Sequence, residues 1–411
     1  MQKIENKFFK KGLPSFCTSN MDVVDVIFKF CKLNNLPVLI ESTSNQVNQN
    51  GGYTGLKPQN FKKKINEIAK KNKFKLKRVL LGGDHLGPLP WKDLKKKIAM
   101  RNAKLLVKNY IKTGYKKIHL DTAILCSDQK KISREEVIHR CFFLLKDIPT
   151  KYLKNIFFVV GTEVPAAGGG DHTNTMVTKL DNIKRDFNGY RNFFKKMNFG
   201  SLRFALVIDP GIAFKNLSIK KSKFKDLNKK SNFSKINNFV FEAHSSDYQS
   251  MVDLRKLYDK NFKFLKVGPE LTYNYMKAIL LMEKIEMNIF SDVSNIRKTI
   301  SKQMDINKKY WAKYYKKSSK NNEFLKFHSF LDRARYYWSN KKVHYSKQKL
   351  FKNINNLNHT EFCFFCDLSK KDLYFKKKRK LTNVDFILFK FLKDPIMKYY
   401  LACRYKIKSR F

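Results

Sequence analysis

Long hydrophobic runs are missing from this chain of 411 residues. No apolar stretch has the length of a membrane-spanning helix, and residues 1–7 lead into no apolar segment of the secretory-signal kind. The seven cysteines are odd in number and scattered, which argues against a disulfide framework. Cys363 and Cys366 have CxxC spacing but no second pair follows, so we expect buried thiols there rather than a zinc ribbon. The expected compartment is the cytoplasm.

Acidic residues are also few: 34 Asp and Glu stand against 86 Lys and Arg, a formal net charge of +52. A charge of this size often indicates nucleic-acid binding. Here the lysines are spread over every segment, usually beside Asn, Ile and Phe, and no face or tail concentrates them. This pattern is typical of solvated helix faces in a lysine-biased sequence. We therefore expect no specific nucleic-acid partner, although net charge alone favours binding to polyanions in vitro.

Two nucleotide-binding motifs are absent from the sequence. No GxGxxG follows the first predicted strand, so a dinucleotide-binding open sheet is not indicated. No glycine-rich loop is followed by Lys and Ser or Thr, the arrangement that cradles the phosphates of ATP. The second absence argues against kinase activity.

The sequence does contain one repeated unit: a short apolar run that ends in an acid or a histidine, followed by a segment of helical periodicity. The clearest example is residues 78–88, RVLLGGDHLGP. Eight strands are predicted, most of them of this kind, in residues 12–20, 37–41, 78–88, 117–121, 155–165, 202–211, 238–247 and 262–269. Eight such units predict a closed (β/α)8 TIM barrel. A doubly wound open sheet is the alternative, but it would place polar strand ends only at its switch point.

The pattern changes near residue 291. The segments 310–315, 331–338 and 386–405 are aromatic with helical spacing, and no further strand pattern appears. We predict two parts, a barrel over residues 1–290 and a helical carboxy-terminal extension over residues 291–411 packed on it. The extension could supply a partner surface or a lid.

The carboxyl ends of barrel strands meet at one mouth, where the active sites of such barrels lie. His85 and His244, with Glu163, predict a divalent-metal set of the His2Glu kind. Asp84 and Glu163 are the predicted catalytic residues, with Asp84 shuttling a proton beside the metal. Asp209 could replace Glu163 as the third ligand, or could cap a turn. Each histidine could equally be a hydrogen-bonded structural residue.

A second group of polar side chains is predicted to contact a substrate. Its members are Glu41, Asn45, Gln46, Asn48, Asp121, Ser245, Lys266 and Arg333. The amides suit a sugar with many hydroxyls, although polar loops are usually just solvated. Lys266 could form a Schiff base, but a salt bridge with Glu41 or Glu242 is favoured. Arg333 and Arg335 could bind a phosphate through bidentate hydrogen bonds, or they could lie on an ordinary helix face.

Several segments together resemble one known family. They are residues 39–55 (LIESTSNQVNQNGGYTG), 81–88 (LGGDHLGP), 117–121 (KIHLD), 161–165 (GTEVP), 242–249 (EAHSSDYQ), 265–269 (LKVGP), 310–315 and 332–338. The chain resembles the Z-subunit family of class II tagatose-1,6-bisphosphate aldolase over nearly its whole length. The resemblance implies a TIM barrel with a place in galactitol or N-acetylgalactosamine breakdown. It also implies a non-catalytic accessory role that supports the activity and stability of a separate catalytic Y subunit.

The resemblance has a second implication, because relatives of this family look like metal-dependent 4-epimerases of fructose 6-phosphate and tagatose 6-phosphate. Compared with catalytic class II aldolases, the sixth-strand histidine is absent, since that run ends in residues 207–209 (VID). The phosphate-binding glycine pair is replaced by Ser245 and Ser246. Both departures argue against full aldolase activity and are compatible with metal binding or epimerisation. The expected cofactor is Zn2+ or another divalent metal, and the expected partners are the Y subunit and a ketohexose phosphate; a homo-oligomer is left open.

Overall fold

The computed structural model describes residues 8–164, 177–197, 204–315 and 319–408. The glycine-rich segment that follows the fifth predicted strand in the sequence, residues 166–171 (AAGGGD), lies outside them. The strands are β1 (Leu13–Cys17), β2 (Val38–Thr43), β3 (Val79–Leu86), β4 (Lys117–Leu120), β5 (Phe157–Val160), β6 (Phe204–Val207), β7 (Ala213–Phe214), β8 (Ile219–Lys220), β9 (Val240–Ala243) and β10 (Phe262–Val267). Each of the eight predicted strands therefore has a counterpart, and β7 with β8 forms a short antiparallel pair that was not predicted.

Eight strands close into a parallel barrel in the order β1-β2-β3-β4-β5-β6-β9-β10, with β10 paired to β1. The closing register runs from Leu13 opposite Phe264 to Phe16 opposite Val267. The strands are rich in Val, Ile, Leu and Phe because they are covered on both faces. Closure confirms the predicted (β/α)8 barrel and excludes the open sheet.

Helices alternate with the barrel strands, and the helices after residue 290 form the carboxy-terminal extension. The helices are α1 (Met21–Asn34), α2 (Pro58–Lys71), α3 (Lys96–Thr113), α4 (Arg134–Leu145), α5 (Thr150–Leu153), α6 (Leu180–Lys196), α7 (Leu227–Ile236), α8 (Met251–Asp259), α9 (Pro269–Ile289), α10 (Ile296–Ile306), α11 (Ser319–His328), α12 (Lys341–Asn356), α13 (His359–Cys366), α14 (Lys370–Arg379) and α15 (Asn383–Ala402). None of the described helices combines the length and the apolarity needed to cross a membrane.

The described residues after β10 are helical, with short 3-10 turns between the helices. The last helix, α15, packs against α1, α8 and α9 and so covers the place where the first and last units of the barrel meet. Buried Tyr400 donates a hydrogen bond to the carbonyl of Pro37 at 2.6 Å, and Arg255 of α8 donates to the carbonyl of Ala402 at 2.9 Å. The last helix therefore attaches the carboxy-terminal region to the barrel.

One expectation about the cysteines is wrong. Cys363 and Cys366 are partly exposed on α13, because this helix lies at the outer surface of the extension. Cys31, Cys141 and Cys403, by contrast, are buried free thiols.

Candidate functional site

The barrel interior changes from apolar to charged toward the carboxyl ends of the strands. The rings of Phe9, Phe157 and Phe264 fill the opposite end, with centroid separations of 5.0 Å from Phe157 to each neighbour. Above them lies a buried group that we call the core cluster: Glu41, Asp84, His85, Lys117, His119, Asp121, Glu242, His244 and Lys266. Barrel interiors are usually filled by branched apolar side chains. So many buried charges in one place indicate a functional site.

Two lysines neutralise the carboxylates at the bottom of the core cluster. Lys117 Nζ lies 2.5 Å from Glu41 Oε1 and 2.6 Å from Glu242 Oε2. Lys266 Nζ lies 3.1 Å from Glu41 Oε2 and 3.2 Å from Glu242 Oε1, and it also contacts Asp84. Burial alone would lower the pKa of Lys266, but the three carboxylates raise it well above its ordinary value. Lys266 is therefore an ammonium in an ion network, and this geometry does not support the Schiff base considered for it.

Asp84 and His85 both point into the barrel, although neighbours on a regular strand face opposite sides. The pairing of β3 with β4 shifts within this segment, and His85 has a φ of +48°. Such a bulge re-aims side chains, and positive φ in a residue other than glycine stores strain that functional sites tolerate. Gly82 makes room on the same strand, because a Cβ there would lie 2.7 Å from Glu41 Oε1.

The rings of His85, His119 and His244 form a triangle with centroid separations of 4.9, 4.9 and 5.0 Å. Each ring has one nitrogen against a carboxylate oxygen: His85 Nδ1 to Asp121 at 2.8 Å, His119 Nδ1 to Asp84 at 2.9 Å, and His244 Nε2 to Glu242 at 3.0 Å. The backbone N–H of His85 also points at His119 Nδ1, at 3.2 Å. Metal binding through His119 Nε2 requires the tautomer in which Nδ1 carries the hydrogen and donates it to Asp84.

The opposite nitrogens of these rings have no such partners. His119 Nε2 and His244 Nδ1 are buried without a hydrogen bond to any described residue, and His85 Nε2 lies 3.7 Å from Asp84 Oδ2. A buried polar atom without a partner costs about 1–3 kcal/mol. Metal-binding histidines usually give their second nitrogen to a carboxylate, as all three do here. The three imidazoles and Asp84 offer ligand atoms within 4.8 Å of one another, so this donor set fits a divalent cation.

The charges of the core cluster agree with that fit. Its four carboxylates outnumber its two ammonium groups, which leaves two negative charges in excess when the imidazoles are neutral. Burial lowers the pKa of His119, and burial with nearby Lys266 lowers the pKa of His244 to about 3, so both are neutral. Burial also opposes the charged form of His85, but the adjacent aspartates raise its pKa. With all three imidazoles neutral, as metal binding requires, the excess equals the charge of one divalent cation; a proton on His85 would offset one unit of it.

Glu163 and Asp209 do not belong to the core cluster. β5 ends at Val160, and the side chain of Glu163 is 38% exposed, with an oxygen 3.7 Å from Arg134 Nη2. The residue that joins His85 and His244 is His119, whose ring centroid lies 4.9 and 5.0 Å from theirs. Asp209 Oδ1 accepts the backbone N–H two residues further on at 2.7 Å, so it caps the turn after β6. This geometry does not support a metal or catalytic role for Glu163, nor a ligand role for Asp209.

A pocket of 420 Å³ opens above the core cluster, with Asp84, His85, His244 and Lys266 among its lining residues. The extension lines it with Arg335, Tyr336, Trp338, Ser339, His344 and Lys347. Ser339 Oγ donates to the carbonyl of Tyr53 at 2.9 Å, which ties the extension to the amide-rich loop after β2. The pocket is therefore built by the barrel and the extension together.

The predicted substrate residues fall into two groups. Asn45, Gln46 and Ser245 line the pocket beside Lys266, whereas Glu41 and Asp121 lie below it in the core cluster.

Asn48 and Arg333 are not among the lining residues of the pocket. Asn48 Oδ1 accepts the backbone N–H groups of Asn50 and Gly52 at 2.9 and 3.0 Å, so it shapes the loop. Arg333 is 2% exposed, and its guanidinium lies 3.3 Å from the centre of the Tyr314 ring. Arg335 lines the pocket and Arg333 does not. This placement does not support direct phosphate binding by Arg333.

Sequence reasoning left three members of the core cluster out of the site: Lys117, His119 and Glu242, the last of which was considered only as a salt-bridge partner of Lys266. Lys117 and His119 lie on β4, and neither was included in the metal or substrate sets. A signal was present, because Lys117, His119 and Asp121 alternate along the strand and so share one face. What could not be read from one strand is that this face meets Glu41, Glu242 and Asp84 of other strands.

Comparison with known proteins gives a consistent result. The family described as D-tagatose-1,6-bisphosphate aldolase subunit GatZ/KbaZ-like matches residues 1–404. The D-tagatose-1,6-bisphosphate aldolase subunit GatZ of Klebsiella pneumoniae subsp. pneumoniae is 32% identical over 357 residues, 84% of either chain. The crystal structure of a probable tagatose 6 phosphate kinase from Sinorhizobium meliloti 1021 superposes with a TM-score of 0.82 at 27% identity, covering 95% of this chain and 100% of that one. The family match includes the core cluster and the pocket wall contributed by the extension.

Proposed function

Because the chain belongs to the D-tagatose-1,6-bisphosphate aldolase subunit GatZ/KbaZ-like family, we propose that it is an accessory subunit of a tagatose-bisphosphate aldolase. The observation that carries this proposal is the match over residues 1–404, which takes in the barrel and nearly all of the extension. In this role the chain supports the activity and stability of a catalytic Y subunit in galactitol or N-acetylgalactosamine breakdown. We propose the cytoplasm as its compartment.

We further propose that the pocket binds a ketohexose phosphate. The amides of Asn45 and Gln46 suit the hydroxyl groups of a sugar, and both side chains line the pocket. Lys64, Arg335 and Lys347 line it as well and provide positive charge for a phosphate. Polyol-binding and anion-binding side chains therefore share one cavity.

The proposed metal ligands are His85, His119 and His244, joined by Asp84. Imidazole nitrogens with one carboxylate suit zinc among the common divalent metals. When bound, such a cation polarises the carbonyl oxygen of a ketose. Asp121 holds the His85 ring by its hydrogen bond at 2.8 Å, and Asp84 holds His119. The predicted proton transfer by Asp84 stays a prediction. Burial would raise the pKa of the Asp84 carboxyl, but the charges of His85 and Lys266 hold this pKa well below the usual range.

The accessory role is tested by co-expressing the chain with a catalytic Y subunit. The purified chain alone is expected not to cleave tagatose 1,6-bisphosphate, and the complex is expected to be more active and longer-lived than the Y subunit alone. A His119→Ala variant in the same complex separates structural support from the contribution of the metal pocket. No gain in activity or lifetime from the wild-type chain would contradict the proposal.

A second candidate is a divalent-metal 4-epimerase of fructose 6-phosphate and tagatose 6-phosphate. The specific observation in its favour is that three convergent histidines lie beneath a pocket, although the family match favours the accessory role. Interconversion of the two sugar phosphates, lost with a chelator and in His85→Ala, would support it; a metal-free chain with no turnover would eliminate it. We propose no kinase activity, because the sequence lacks a glycine-rich loop followed by Lys and Ser or Thr.

A further inference from the structure

The wall that the extension adds to the pocket contains a tyrosine in an unusual environment. Arg333 Nη1 and Arg335 Nη2 donate hydrogen bonds to the phenolic oxygen of Tyr336 at 3.3 and 3.1 Å. Tyr336 lines the same pocket as His85 and His244. Two cationic donors on one phenolic oxygen stabilise its anionic form more than its neutral form, which makes the phenol a better proton donor.

This arrangement is held in place from several sides. The ring of Tyr310 stacks parallel to that of Tyr336, with an interplanar angle of 1° and centroids 4.7 Å apart. The ring of Tyr53 meets it edge-on at 4.7 Å. Behind it, Arg333 lies 3.3 Å from the Tyr314 ring, and Arg335 Nη1 donates to a backbone carbonyl at 2.9 Å. The phenol and both guanidiniums are therefore fixed before a ligand arrives.

The charged and titratable groups that face Tyr336 are Arg333 and Arg335 on its own segment, Tyr53 on the loop after β2, and Tyr310. Burial raises the pKa of Tyr336, but the two arginines outweigh burial and bring it below the ordinary value. The pKa values of Tyr53 and Tyr310 are raised by burial and by Tyr336 itself. Among these three packed phenols, Tyr336 is the one whose oxygen receives the two arginine hydrogen bonds.

We propose that Tyr336 is an acid–base residue of the pocket, exchanging its phenolic proton with a hydroxyl oxygen of the bound sugar phosphate. The proposal rests on the proposed function for the identity of the ligand. When Tyr336 donates, its O–H bond breaks, an O–H bond forms on an alkoxide oxygen of the ligand, and the electron pair stays on the phenolate. In the reverse step the phenolate takes the proton from the hydroxyl. No other reactant is needed, and Arg333 and Arg335 hold the negative charge of the phenolate in between.

The first test needs no ligand. The ultraviolet absorption of phenolate is followed against pH in the full-length chain, in Tyr336→Phe and in the matched control Tyr310→Phe, which changes the stacked partner instead. We expect Tyr336→Phe to lose one transition below the pH of ordinary tyrosine, which is about 10, and Tyr310→Phe to keep that transition. If Tyr336→Phe keeps the early transition, or if no early transition exists, the proposal is overturned.

The second test measures whether ligand binding changes the protonation state of Tyr336, because a proton that stays inside the complex is not exchanged with the buffer. Binding of tagatose 6-phosphate is followed by calorimetry in two buffers of different ionisation enthalpy, near the midpoint of the early transition. We expect wild type and Tyr310→Phe to exchange protons with the buffer on binding, and Tyr336→Phe to lose that exchange. Equal exchange in all three proteins would overturn the role of Tyr336 and leave the proposed ligand intact. No binding by any of them would instead count against the ligand, and the absorption titration would then decide the acidity of Tyr336 alone.

Discussion

Replacing Lys117 by methionine should strongly destabilise the barrel, because this lysine is the buried counter-ion of two carboxylates. Its side chain is 1% exposed, with Nζ 2.5 Å from Glu41 and 2.6 Å from Glu242. Methionine fills a similar volume but leaves Lys266 as the sole lysine for three carboxylates of the core cluster. Removing one partner of a buried ion pair costs about 3–5 kcal/mol, so we expect the free energy of unfolding to fall by that amount.

Urea unfolding followed by tryptophan fluorescence measures this change. The matched control is Lys112→Met on the exposed side of α3, which should alter the free energy of unfolding by about 0.5 kcal/mol or less. The double variant Lys117→Met with Glu41→Gln removes one charge of each sign and should recover part of the loss, which a double-mutant cycle reports as non-additivity. A loss below about 1 kcal/mol in Lys117→Met, or strict additivity in the cycle, would refute the ion network as described.

Three further predictions concern the core cluster and the extension. His119→Ala should remove bound divalent metal in elemental analysis whereas Glu163→Gln retains it; loss in Glu163→Gln would contradict the assigned ligands. Asp121→Asn should weaken metal binding about 10- to 100-fold in a chelator competition, because the asparagine no longer offers the His85 ring a charged acceptor. An unchanged metal affinity would count against the site. Burial raises the pKa of Asp332 to about 6, so the wild-type chain should lose up to about 3 kcal/mol of stability as the pH rises from about 4 to about 6. Asp332→Asn cannot titrate and should have a flatter profile; identical profiles would show that the raised pKa is wrong.

The order and position of the barrel strands could be read from the sequence. A short apolar run predicts each strand, and the polar residue at the end of the run indicates the carboxyl edge of the barrel. Asp84, His85 and His244 were placed at the mouth for this reason, and the structure brings all three together. The pattern is local, so one strand at a time is enough to find it.

Partners that come from different strands could not be read in this way. The sequence pattern alone does not distinguish Glu163 from His119 as a site residue. Glu163 follows an apolar run, and His119 lies within one. Only closure of the barrel shows that His119 faces His85 and His244 while Glu163 turns outward to Arg134. The choice between them depends on strand register and on loop direction, which are properties of the assembled sheet.

The sequence by itself determined the architecture, the charged character of the barrel mouth and the family, because these depend on periodicity and on contiguous motifs. The tertiary structure alone decided which side chains share the site. The bulge in β3 turns both Asp84 and His85 inward, and the extension places Arg335 and Tyr336 over the pocket, whereas Arg333 is buried against Tyr314. The physical reason is that the direction of a side chain depends on backbone torsion angles and on packing against distant segments. The neighbouring residues in the sequence determine neither of these.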